Sequence, residues 1–111
     1  MIFKIVHADE WHAARSASAY SGSAKDRQDG FLHFSAEAQL LSTLMRYYAR
    51  ADDLILVAVD ETTLGTALKY EPSTGGALYP HLYEDLPLSA VKWSRPITRD
   101  KDGKFILPAL T

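Results

Sequence analysis

Leu54-Ile55-Leu56-Val57-Ala58-Val59 is an almost unbroken aliphatic run flanked by Asp53 and Asp60. It is too short for a buried helix and contains β-branched residues, so it predicts a strand covered on both faces. Such a strand sits inside a sheet, and the sheet then needs a packing layer on each side. The 111 residues, 47% of them hydrophobic, supply enough material for that arrangement in one domain, read as residues 1–111.

The rest of the chain supplies candidates for those layers. Residues 2–6 read as a strand with Ile2, Lys4 and Val6 on one face and Phe3 and Ile5 on the other. Asp9 is a plausible N-cap for a helix of about ten residues through Trp11, Ala14 and Ala17. Residues 16–30 turn polar and small, broken by Ser21-Gly22-Ser23 and Asp29-Gly30, and read as a long loop that is functional or mobile. Residues 31–35 read as a second strand. Across 36–50, Leu40, Leu41, Leu44, Met45 and Tyr48 recur at helical spacing, and Ser35 is placed to cap that helix. Residues 68–71 form a strand that Pro72 stops, and 73–76 form a loop. Residues 78–83 return as a strand that Pro80 confines to an edge or a bulge. Strands at 91–95 and 104–107 are joined by the hairpin signal Asp102-Gly103. The sum is an α+β chain with two early helices and most strands late.

Composition removes several functions. Twelve basic against 14 acidic side chains, a formal charge of −2, leave no footprint for duplex nucleic acid or an anionic membrane. Without cysteine there is no disulfide, thiolate metal site or cysteine nucleophile. The opening residues lack the basic and long apolar regions of a signal peptide, and no apolar run is long enough to span a bilayer, which points to the cytoplasm. Four histidines raise the metal question, but His7 and His12 do not align on a helix and no H-E-x-x-H occurs, so no metal site is expected. No serine occupies a G-x-S-x-G elbow.

The remaining polar positions fall on strand faces. His33 and Ser35 share one face of the second strand, where an anion would also meet a helix N-terminus. The plainer alternative is a capping serine and a satisfied, half-buried histidine. Tyr79, His81 and Tyr83 share a face suited to stacking a planar ring, although aromatics at this spacing also build cores. Glu71 precedes a glycine-bearing turn that can bring N–H groups to a ligand, or simply connects two strands. Lys4 is either a pocket cation or a charge guarding an edge strand.

From IFKIVHADEWHAA through GFLHFS and DDLILVAVD to LKYEPSTGGALYPHLYEDLPLSAVKWSRPI, the chain resembles the family called domain of unknown function 952. The resemblance implies a fold similar to ADP-ribosyltransferases, with mixed β-sheets and two N-terminal helices. Carried over by motif, Lys4 falls where those enzymes bind the NAD ribose, His33 falls on the strand that faces the nicotinamide, and His81 falls where their catalytic glutamate stands. No carboxylate stands at that position, where those enzymes use one for ribose orientation and oxocarbenium stabilisation.

The expectation is therefore a cleft lined by Lys4, His33, Ser35, Glu71, Tyr79, His81 and Tyr83, with His33 and His81 as the catalytic pair. It would hold a small anionic, ring-containing molecule such as NAD, ADP-ribose or a nucleotide phosphate, and any reaction would be ribosyl or phosphoryl transfer or hydrolysis. The sequence fixes neither a cofactor nor an oligomeric state. The alternative is a non-catalytic ligand-binding or protein-interaction module using residues 16–30 or the Tyr79 strand.

Overall fold

The computed structural model describes residues 1–111, the side chain of Thr74 excepted. In chain order the elements are β1 (Ile2–His7), α1 (Ala8–Ala17), β2 (Ala19–Tyr20), α2 (Ala24–Asp29), β3 (Leu32–His33), α3 (Leu40–Tyr47), β4 (Leu54–Val59), β5 (Leu68–Pro72), β6 (Leu78–Leu82), β7 (Leu86–Pro87), β8 (Val91–Arg99) and β9 (Phe105–Ile106). The architecture is α+β with antiparallel sheets. One sheet has the order β1-β4-β8-β9, a second has β3-β6-β5, and β2 pairs with β7.

β4 lies between β1 and β8, as its aliphatic run requires. Val57 and Val59 enter one core with Ile2, Val6, Trp11, Phe34 and Leu82. Leu54, Leu56 and Ala58 enter the other with Phe3, Ile5, Leu40 and Leu44. The alternation of a pleated strand therefore divides six apolar residues between two packing layers. Among the described residues no helix is long and apolar enough to cross a membrane.

Several expectations need correction. The long loop read at 16–30 contains β2 and α2. A reciprocal capping box starts α2: Asp26 N–H donates to Ser23 Oγ at 3.1 Å, and Ser23 N–H donates to Asp26 Oδ2 at 2.9 Å. Asp9 does not cap α1. The N-cap is His7, which makes no side-chain cap bond, and Asp9 lies in the first turn, where its charge favours the helix dipole. The helix expected over 36–50 is a 3-10 turn, Glu37–Gln39, followed by α3. Ser35 does not cap it; Ala36 N–H donates instead to Gln39 Oε1 at 2.9 Å. The buried stripe of α3 is narrower than the spacing suggests. Leu40 and Leu44 are sealed, whereas Leu41 and Met45 are 51% and 69% exposed.

Pro80 is expected to confine its strand to an edge or a bulge, but β6 is the middle strand between β3 and β5 and neither ladder has a register shift. The proline is accommodated by shortening its neighbour. Phe34 N–H donates to Pro80 O at 3.0 Å, but proline has no N–H to return, and β3 ends at His33. The two sheets meet at one isolated bridge, in which Phe3 N–H donates to Ser35 O at 2.9 Å and Ser35 N–H donates to Phe3 O at 2.8 Å.

Candidate active site

His33 and His81 are cross-strand partners in the β3–β6 ladder. Hydrogen-bonded and non-bonded pairs alternate along an antiparallel ladder. With Phe34 bonded to Pro80, the pair His33–His81 falls at the non-bonded position, where facing side chains approach most closely. Their ring centroids are 5.7 Å apart at an interplanar angle of 69°. Phe31 stacks on His81 at 4.0 Å and tilts against His33 at 4.6 Å and Tyr83 at 5.2 Å.

Each imidazole is held at Nδ1 by a carboxylate. His81 Nδ1 is 2.8 Å from Glu71 Oε1, the oxygen to which Tyr83 also donates its hydroxyl at 2.7 Å. Those two bonds, the tyrosine's first, hold the Glu71 carboxyl below its usual range, and the bond to Glu71 pushes the Tyr83 hydroxyl up. The glutamate comes from β5, where Lys69 is the direct register partner of His81, so the Glu71 carboxylate reaches the ring diagonally from two residues along. With Nδ1–H donating to Glu71, Nε2 carries the open lone pair. Nε2 has no protein partner among the described residues and is not one of the sealed polar atoms.

His33 is held from both sides. Nδ1 is 2.6 Å from Asp26 Oδ1 and Nε2 is 2.9 Å from Asp29 Oδ2. An imidazole can donate to two carboxylates only as the imidazolium. Asp26 is 2% exposed and fully satisfied, accepting from the Lys4 ammonium, the His33 ring, the His33 N–H and the Ser23 N–H. Burial pushes its carboxyl up, but the His33 bond and the Lys4 charge outweigh burial and hold it well below the usual range.

As a pocket cation at the ribose position Lys4 would meet ligand oxygens, but the fold gives its ammonium another set of partners. Nζ lies 3.0 Å from Asp26 Oδ2, 3.3 Å from Asp26 Oδ1 and 2.8 Å from His33 O. Its donors are thus used inside the protein, where burial depresses its pKa and Asp26 opposes the depression. Ser35, expected to hold an anion with a helix N-terminus, is 4% exposed, and its Oγ is 3.0 Å from Thr43 Oγ1. Tyr79 lines the cleft beside His81. Tyr83 and Glu71 stand behind His81 and are not part of the lining.

The cleft itself has a volume of about 320 Å³. β1, α2, the β3–β6 ladder and α3 contribute to it, including Phe31, His33, His81 and Tyr79 together with Lys25, Ser42 and Arg46. Asp26, Asp29, Phe31 and Arg46 escaped the sequence reading. Ser23-x-x-Asp26 is a local capping signal that marks α2, but the pairing of Asp26 with Lys4 spans 22 positions and has no local trace. Among the described residues no group of three or more His, Cys, Asp or Glu is arranged to hold a metal.

The family model for Protein of unknown function (DUF952) matches residues 5–94. In the solved structures, the chain is similar to protein CC0527 from Caulobacter crescentus. The crystal structure of that protein is 40% identical with a TM-score of 0.89, covering 95% of this chain and 92% of the other. Its solution NMR structure is 41% identical with a TM-score of 0.83, covering 93% and 89%. No curated protein matches the chain.

Proposed function

The chain belongs to the DUF952 family, whose description names no activity, and from its cleft we propose that it binds a small anionic, ring-bearing molecule of nucleotide type and moves a proton at His81. The observation that carries this reading is the facing pair His33 and His81, each with a carboxylate on Nδ1, beside a stacked phenylalanine and within one cleft. Glu71 fixes the tautomer of His81 and stabilises the imidazolium formed when Nε2 takes a proton. Phe31 and Tyr79 offer ring faces to a base or nicotinamide. Lys4 acts through Asp26, which it holds ionised beneath His33. Ser35 and Thr43 orient each other at the cleft floor, and Tyr83 steadies Glu71.

The chemistry that suits this arrangement is hydrolysis or transfer at a ribosyl or phosphoryl centre. An attacking hydroxyl gives its proton to His81 Nε2 as its oxygen bonds to carbon or phosphorus. The bond to the leaving group breaks, and the His33 ring supplies the departing group with the proton on Nε2, which must first turn away from Asp29. An ADP-ribosyltransferase-like fold, which the sequence resemblance implies, would suit a ribosyl ligand, and His81 with its open Nε2 would stand where those enzymes use a carboxylate.

Calorimetry with NAD, ADP-ribose and nucleotide phosphates tests the reading. Heat of binding is expected for at least one of them, with its loss in His81→Ala. Silence with all of them overturns it, as does an undiminished signal in the variant.

A further inference from the structure

Among the permanently charged side chains of the cleft one cation has no partner, and the consequence rests on the proposed function while going beyond it. The permanently charged lining residues among those described are Lys4, Lys25 and Arg46 against Asp26 and Asp29. Lys4 is matched by Asp26 at 3.0 Å and Lys25 by Asp29 at 3.2 Å. Arg46 has no hydrogen bond, ion pair or ring contact among the described residues. It stands exposed in the last turn of α3, and Ser42, one turn earlier on the same side of the helix, also lines the cleft. A position near a helix C-terminus suits any cation. That accounts for a charge in the last turn, but not for an uncompensated one turned into a cleft where every other fixed charge is paired.

We infer that Arg46 is the anion anchor of this cleft. It receives the phosphate of a nucleotide whose ring lies against Phe31 and His81, so the ligand is a phosphorylated nucleoside rather than a free base or a nucleoside. The guanidinium fork matches two phosphate oxygens at once and stays charged at every working pH. Ser42 Oγ–H adds a donor from the adjacent turn. Arg46 thereby takes the role that Lys4, sealed beneath Asp26, does not have a free donor to perform.

The test is calorimetry of AMP and ADP-ribose, each compared with adenosine, on the wild type, Arg46→Ala, Arg46→Lys and Arg50→Ala. Arg50 is exposed and outside the lining, so its removal controls for the loss of one charge. Arg46→Ala is expected to weaken the phosphorylated probes by about tenfold or more while changing adenosine by less than about twofold. Arg46→Lys should recover part of the loss, and Arg50→Ala should behave as the wild type. If Arg46→Ala weakens adenosine and AMP equally, or weakens AMP no more than Arg50→Ala does, the anchor is overturned and the proposed function stands. If the wild type binds none of the probes the anchor falls, and the proposed function falls with it when NAD is silent as well.

Discussion

Asp26 collects four donor groups on one sealed carboxylate, and its removal strands the Lys4 ammonium without a counter-charge. Asp26→Ala is therefore expected to cost about 3–5 kcal/mol, read as a lower urea midpoint at unchanged slope. A loss under about 1 kcal/mol would mean that Lys4 reaches solvent in the variant, contrary to its burial. The same carboxylate shapes the acid limb of stability. Its folded pKa is depressed, so its contribution is complete above the ordinary carboxylate range, near 4, and is lost as pH falls below that range towards the folded value. Stability should hold from neutral pH to about pH 5 and decline below about pH 4, and Asp26→Asn should flatten that decline. An identical acid limb in the variant would assign the decline to other carboxylates. Strand alternation was enough to single out Lys4, His33 and His81, because a period of two shows in sequence which side chains share a face, and the glycine-bearing turn pointed to Glu71. It could not show that Lys4 turns inward to Asp26 or that Phe31 stacks on His81, because those partners lie on other elements.

α2 brings Asp26 and Asp29 to His33, and its entry depends on Gly22. That residue has φ +104°, and a Cβ there would lie 2.7 Å from Leu32 Cδ2 and 2.8 Å from Asp26 Cβ. Gly22→Ala combines backbone strain with a clash against the residues that seat the site. A loss of about 1–3 kcal/mol is expected, together with shifted imidazole resonances for His33. A variant with wild-type stability and spectra would show that the α2 entry is looser than drawn. Pattern reading recovered the elements whose apolar residues recur, and it missed α2, whose six residues AKDRQD carry no apolar stripe. It also overextended α3: Leu41 and Met45 fit the helical period yet face outward, since periodicity records spacing and says nothing of which neighbours arrive to cover a face.

The molecule places its candidate site where the β3-β6-β5 sheet meets β1 of the larger sheet, joined by the Phe3–Ser35 bridge. A ligand that touches α2, α3 and the β3–β6 ladder together ties these parts and favours the folded state by mass action. A nucleotide phosphate at about 100 times its Kd should add about 2.7 kcal/mol, a rise in Tm on the order of 10 °C. An unchanged Tm at concentrations that saturate a calorimetric signal would place binding elsewhere or on the unfolded chain. The central position of β4 was legible from its own side chains, whereas the division into separate sheets was not, because it depends on pairings between strands distant in the chain. The separation of His33 and His81 is indexed to strand pairing and not to the length of any connection. The turn at 73–77 can therefore be lengthened or exchanged for grafted sequence without retuning that separation. Sliding β6 by two residues would instead bring Tyr79 or Tyr83 opposite His33 and abolish the pair in one step.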